Sequence, residues 1–215
     1  MRETLHPQPI VANDLSEDEF LAWYGPTESM SLAEIADLFN AAGVRWWVAG
    51  GLAAEVFGEV GREHKDVDVA LAAADLPKLR EHLPPDLRLW EAHSGSLTPL
   101  FPGNEVYAEC GQLWVRREAT SPWLFEILLS AVDGDDWVFK RDHSIRMPLD
   151  EAIFRRDGVP YLAPQAVLLH KARLARDVDE RDWEACLPRL DPAARAWLAA
   201  ALEKHLPDHP WRARL

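Results

Sequence analysis

The run WWVAGGLAAEVFG at 46–58, followed by DVDVAL at 66–71, constrains this chain more than any other stretch. Arg45 to Ala49 is short and bulky, as a buried strand is. The pair Gly50-Gly51 then lets the backbone turn sharply, and Leu52 to Phe57 reads as a helix packed behind it. Asp66 to Leu71 reads as the next strand. Strand side chains alternate sides, so Arg62, His64, Asp66 and Asp68 on one extended segment all point the same way. Val67, Val69 and Leu71 point to the opposite face, into a core. Two carboxylates two residues apart on a strand lie about 7 Å from each other, at a rise of about 3.3 Å per residue. They can reach one divalent cation together, and without one they repel. Glycines at the corner let a ligand approach the backbone, and the N–H groups opening the next helix favour a phosphate. The pieces make one site, with phosphates on Gly50 and Gly51 and Mg²⁺ on Asp66 and Asp68. No GxxxxGK[ST] occurs, so the site is not of the Walker type. A glycine pair alone is more often a turn, and an Asp-x-Asp alone is more often a solvated strand edge. Their joint occurrence around apolar strands favours the site.

The remaining composition sets bounds. A length of 215 residues suits one domain, or one with a small appendage. Hydrophobic content of 48% and charged content of 27% are those of a globular chain. No apolar run approaches the roughly 20 residues of a membrane span, and MRETLHPQPIVANDLSEDEF lacks a signal-peptide core, so a cytoplasmic location is expected. Cys110 and Cys186 are expected as reduced, buried fillers, and no Cys/His spacing suggests zinc. The net charge of −13 argues against an extended nucleic-acid partner, which needs a basic face. It permits metal ions or a cationic ligand.

Residues 1–30 read as a mixed lead-in. Ser31 with Glu34 forms a capping box for a helix over 31–42 that ends at Gly43. Leu76 to Leu83 predicts a helix stopped by Pro84-Pro85. Leu87 to Glu91, Gln112 to Arg116 and Leu124 to Ser130 predict strands, and 93–105 a loop. A turn at Asp133-Gly134-Asp135 leads to a hairpin partner over Trp137 to Lys140. Pro164 opens a helix running to Arg176, and helices over 179–187 and 192–202 follow. The expected architecture is α/β with a mixed sheet flanked by helices and a C-terminal helical bundle. A soft boundary separates 1–160 from 161–215.

GGLAAEVFGEVGREHKDVDVAL resembles the signature of the nucleotidyltransferase superfamily, whose fold is that of DNA polymerase β. It is most similar to the small bacterial branch acting on aminoglycosides and lincosamides. The Gly-Arg-x-His-x-Asp-x-Asp run is typical of the aminoglycoside-type branch, although the 14 residues between Gly51 and Asp66 are slightly more than the commonest spacing. The resemblance covers roughly 31–90. It implies the polymerase β-like fold, metal-dependent transfer of a nucleoside monophosphate, metal ligation by Asp66 and Asp68, and phosphate contacts at Gly50 and Gly51. Arg62 and His64 are candidates for further nucleotide contacts.

The family also uses a third carboxylate from a later strand, as metal ligand and base. Glu126, the one charged residue in WLFEILLS, is the candidate, and a structural ion pair with an arginine such as Arg116 is the alternative. The usual residue there is Asp, so Glu is a modest departure. Lys171 sits within the apolar stripe of the helix from Pro164. Similar enzymes place a lysine on such a helix against the triphosphate, and a snorkelling side chain is the other reading. Asp182 is a possible partner for Lys171, and Asp179 a helix cap. Trp114 is a candidate to stack on a base or sugar.

The resulting expectation is a Mg²⁺-dependent nucleotidyltransferase moving AMP from ATP to a hydroxyl of a small acceptor such as an aminoglycoside-like antibiotic. The acidic segments at 130–136 and 175–182 suggest a cationic or neutral acceptor. The rival readings are a toxin–antitoxin nucleotidyltransferase acting on a protein or tRNA, and a non-catalytic relative that keeps the fold.

Overall fold

The computed structural model of the chain describes residues 15–59, 61 and 67–215. Two helices open it, each closed at its start by a serine. α1 spans Glu17–Tyr24 and α2 spans Leu32–Ala42. Ser16 with Glu19, and Ser31 with Glu34, exchange the reciprocal hydrogen bonds of a capping box. Gly43 ends α2 in the left-handed region, as expected. α1, which falls in the segment read as a lead-in, has no buried residue of its own. It lies against the sheet through Phe20 and Tyr24, whose rings meet Trp114 of an interior strand.

The sheet is built from β1 (Trp46–Val48), β2 (Asp68–Ala72), β3 (Arg88–His93), β4 (Ser96–Pro99), β5 (Gln112–Arg116), β6 (Trp123–Asp133), β9 (Ile153–Arg156) and β10 (Val159–Leu162). Their order is β4-β3-β5-β6-β2-β1-β10-β9. The far end of β6 turns back into β7 (Asp136–Val138), which pairs with β8 (Arg146–Pro148). The sheet is mixed: β2 runs antiparallel to β1 and parallel to β6, while β10 runs parallel to β1.

Side-chain alternation divides the sheet into two faces. Trp46, Leu71, Val69, Ile127 and Phe125 are buried on one. There Phe39 of α2 meets the rings of Trp46 and Phe125 at 5.6 and 6.1 Å between centroids. Full burial of Ile35 and Phe39 contributes about 1.5–3 kcal/mol per side chain, which is what holds α2 on this face. α4 (Leu76–His82) packs beside α2. The opposite face carries Trp47, Asp68, Ala70, Glu126 and Leu128. It is covered in part by α3 (Gly50–Gly58), α6 (Pro164–Ala172) and α7 (Asp177–Cys186), with α8 (Pro192–His205) packed on α6.

Several expectations shift. Residues 93–105 are not all loop: Ser94 and Gly95, both at positive φ, turn β3 back into β4, with His93 opposite Ser96. A second such turn, at Asp157-Gly158, joins β9 to β10. These two strands and the short α5 (Leu149–Ala152) fall in a stretch for which the sequence suggested no element. α6 ends at Ala172, four residues before the expected Arg176, and α7 begins at Asp177. Arg62, His64 and Asp66 lie outside the described residues.

Candidate active site

A cleft of about 500 Å³ opens on the second sheet face. β1 leads into it: Ala49 is extended, and Gly50 begins α3 with φ +61. The glycine is needed twice over. Its backbone is one that L side chains rarely adopt, and a Cβ there would collide with Oδ2 of Asp68. The backbone N–H of Ala49 donates to the carbonyl of Asp68 at 2.9 Å, which fixes β2 against the corner. The expectation that Gly50 and Gly51 sit at a strand-to-helix turn facing the carboxylate strand therefore holds for Asp68.

Asp68 is the first residue of β2, and its partner in the parallel register with β6 is Glu126. Paired residues on neighbouring strands share a face, so the two carboxylates sit side by side, both half-buried and both lining the cleft. Glu126 is not the partner of Arg116. The guanidinium of Arg116 stacks between Trp90 and Trp123, at 3.9 and 4.1 Å from the ring centroids, and does not line the cleft. Glu126 Oε2 instead accepts from the amide of Gln112 on β5.

The helices supply the other wall. Lys171 of α6 lines the cleft, and its ammonium lies 2.9 Å from Asp179 Oδ1 and 2.8 Å from Asp182 Oδ2. The pairing with Asp182 was expected. Asp179 does more than cap a helix, since it is fully buried and also accepts from the backbone N–H and the guanidinium Nε of Arg176 at 3.0 and 2.9 Å. Burial pushes the Asp179 carboxyl up, but the hydrogen bonds from Arg176 and Lys171 outweigh it and hold it below the usual carboxylate range. Arg176 also lines the cleft. Its pKa is raised chiefly by its hydrogen bond to Asp179, with smaller contributions from the charges of Asp179, Asp182 and Asp68.

Three cleft residues had no place in the sequence reading: Lys140, Arg141 and His170. Lys140 and Arg141 follow β7. Burial lowers the pKa of both, and neighbouring cations lower them further. His170 is held neutral, with its pKa lowered to about 3 by burial and then by the charges of Arg141, Lys140 and His205. A Lys-Arg dipeptide after a hairpin looks like any solvated turn, and only the packing of β7 against α6 turns it inward. Gln112 also went unnoticed, because its role depends on cross-strand pairing. Conversely, Trp114 packs against Phe20, Tyr24 and Trp123 and does not line the cleft, whereas Trp47 and Trp137 do. Asp133 pairs with Arg146 at 2.7 Å, and neither it nor Asp135 or Asp136 lines the cleft.

A glycine corner facing side-by-side carboxylates on parallel strands could hold a metal–phosphate ligand. Residues 31–86, which carry α2, β1, α3, β2 and α4, match the family model of aminoglycoside-2''-adenylyltransferase. That match covers about a quarter of the chain and lies on the elements that build the glycine corner. The fold recurs in solved structures. The lincosamide antibiotic adenylyltransferase LnuA, in its lincomycin-bound crystal structure, is 18% identical with a TM-score of 0.50, over 75% of this chain and 98% of that one. ANT(2'')-Ia in complex with adenylyl-2''-tobramycin is 12% identical with a TM-score of 0.53, over 80% of this chain and 95% of that one. The solution structure of ANT(2'')-Ia gives 13% identity and a TM-score of 0.52, over 83% and 96%. At these identities the likeness is one of fold. A search of curated protein sequences finds no match. Among the described residues no helix is long and apolar enough to cross a membrane.

Proposed function

We propose that this chain is a nucleotidyltransferase that moves AMP from ATP to a hydroxyl of a small acceptor of the aminoglycoside or lincosamide kind, with Mg²⁺ in the site. The observation that carries the reading is the register of Asp68 with Glu126 beside a Gly50 that leaves no room for a Cβ. Support for the acceptor class comes from the match of 31–86 to an aminoglycoside adenylyltransferase model, and from fold neighbours solved with lincomycin and with adenylyl-tobramycin.

Adjacent carboxylates at the mouth of a phosphate corner are a hard-oxygen donor set, which fits Mg²⁺. Asp68 and Glu126 would hold it, joined by Asp66. Bound there, Mg²⁺ supplies neutralisation of the phosphate charge in the transition state. The backbone at Gly50 and Gly51 takes the phosphates at the start of α3, with Lys171 and Arg176 on the facing wall and Arg62 and His64 as further contacts. Glu126 accepts the proton of the acceptor hydroxyl. That oxygen bonds to the α-phosphorus, the bond from phosphorus to the α–β bridging oxygen breaks, and pyrophosphate leaves. Gln112 holds one Glu126 oxygen and so presents the other to the acceptor. The boundary near residue 160 is kept as an organisational proposal, with the phosphate corner and carboxylates before it and Lys171 and Arg176 after it.

The test is incubation with Mg²⁺, ATP labelled in the α-phosphate and a panel of aminocyclitols and lincosamides, read by mass spectrometry. An AMP adduct on a hydroxyl is the expected product. Label recovered on protein or tRNA, with none on small acceptors, would replace this reading with the macromolecular one.

A further inference from the structure

The loop that follows β7 has a fixed shape. The N–H of Phe139 donates to the carbonyl of Ile145 at 3.0 Å, and that of Asp142 to the carbonyl of Phe139 at 3.1 Å. Phe139 is fully buried, with its ring 4.9 Å from that of His170 and 5.0 Å from that of His205. The two residues after this anchor, Lys140 and Arg141, keep exposed surface overall, while their charged ends are partly desolvated and both residues line the cleft. Arg141 is held from behind: its Nη1 lies 3.4 Å from both Nδ1 and the carbonyl oxygen of His170, and its guanidinium lies 5.8 Å from the Phe139 ring centroid. Lys140 Nζ lies over the backbone at Gly111, which precedes the Gln112 that donates to Glu126.

Besides burial, the charges that shift the pKa values of this pair are those of neighbouring cations. Among the described residues no carboxylate forms an ion pair with Lys140, Arg141 or Arg173, although ion pairs occur elsewhere along the chain. The charges that act on Lys140 are those of Arg141 and Arg173. His170, between them, stays neutral and serves as an acceptor that pins Arg141 rather than as a further cation. A protein with an acidic net charge has thus placed adjacent cations, in no ion pair among the described residues, on a hydrogen-bonded loop facing a cleft. Such a cluster repels itself until an anion binds, and a phosphate offers the oxygens that a Lys-Arg pair engages.

We propose that Lys140 and Arg141 form a second anion-binding arm of the cleft, distinct from the glycine corner, that takes a phosphate-type oxyanion. The identity of the ligand rests on the reading of the cleft as a nucleotide site; the existence of the arm does not. One source of the oxyanion is the polyphosphate tail of the nucleotide, released as pyrophosphate. The other is a phosphate carried by the acceptor.

The experiment is equilibrium titration of the full chain with inorganic pyrophosphate in EDTA, so that no metal links the ligand to Asp68 or Glu126. Wild type should bind saturably. Lys140→Gln and Arg141→Gln should each weaken binding about tenfold, the scale of one lost charge-assisted hydrogen bond. Lys140→Arg should restore most of the affinity, and Asp68→Asn should keep it. Lys140 keeps exposed surface, so its variants test the arm without disturbing the packing around His170. Unchanged pyrophosphate affinity in Lys140→Gln and Arg141→Gln overturns the proposal, even if AMP transfer stands. Loss of transfer chemistry with the arm still binding overturns the proposed function and leaves the arm. Repeating the titration with a non-hydrolysable ATP analogue at saturation separates the sources. Competition assigns the arm to the nucleotide tail, and binding alongside the analogue assigns it to an acceptor phosphate.

Discussion

Two groups of carboxylates face the same cleft, and the chain treats them differently. Asp179 and Asp182, on α7, are buried and closed by the chain's own cations, with Lys171 within 2.9 Å of both and Arg176 on Asp179. Asp68 and Glu126 are half-buried and brought into register with each other, and the hydrogen bond that positions Glu126 comes from a neutral amide. The first group is an arrangement for holding α6 and α7 together. Breaking it leaves an uncompensated buried charge. The second juxtaposes two carboxylates at the cleft, which under the proposed function would hold a cation. The lesson is one of construction: cations on neighbouring helical segments close the first group, whereas strand register sets the second.

The sharpest way to break this comparison is to neutralise one member of each group. Glu126→Gln should lower turnover about 10²–10⁴-fold, the scale of lost acid–base catalysis, while the melting temperature stays near that of wild type. A stability loss with retained per-molecule activity would move Glu126 into the structural group. Lys171→Met should show a stability loss of about 3–5 kcal/mol, with a melting point lower by about 6–20 °C, in addition to any loss of phosphate binding. Thermal unfolding followed by circular dichroism reads this directly. A Lys171→Met protein as stable as wild type would show that Asp179 and Asp182 need no countercharge.

A smaller effect sharpens the working half. Gln112→Leu should lower kcat about tenfold or more with the KM for ATP unchanged, since the amide orients Glu126 without touching the nucleotide. Equal changes in both constants would assign Gln112 to binding. The smallest effect near neutral pH concerns His170. Its folded pKa of about 3 lies below the ordinary 6.5. Its contribution to stability is therefore complete above pH 6.5 and is lost as the pH falls toward 3. His170→Gln should flatten the acid side of a stability–pH profile and leave stability at pH 8 close to wild type.

The glycine corner, β2 and Glu126 were legible because each depends on local pattern: period-two alternation, a glycine pair and one charge in an apolar strand. Ser31 and Glu34 announced α2 for the same reason. What stayed hidden depends on distant partners. Lys140 and Arg141 face the cleft only because Phe139 is buried against His170, and Gln112 reaches Glu126 only across a strand pair. The turns at Ser94-Gly95 and Asp157-Gly158 carried a local signal of their own. It was outweighed by the glycine- and proline-rich surroundings of the first and by the polar flanks of the second. Asp179 looked like a cap because its burial comes from packing against α6, which its own stretch, rich in Asp and Glu, does not reveal.

The account's central claim is that Asp68, in register with Glu126 and pressed against Gly50, is the working carboxylate of the described site. Its most direct test is AMP transfer by Asp68→Asn in Mg²⁺, read as adduct on whichever acceptor the wild type modifies, with the melting temperature of the same sample measured in EDTA. The account predicts no adduct from a protein that melts at or above the wild-type temperature, because one of two repelling charges has been removed. Adduct formed at the wild-type rate by Asp68→Asn would contradict it.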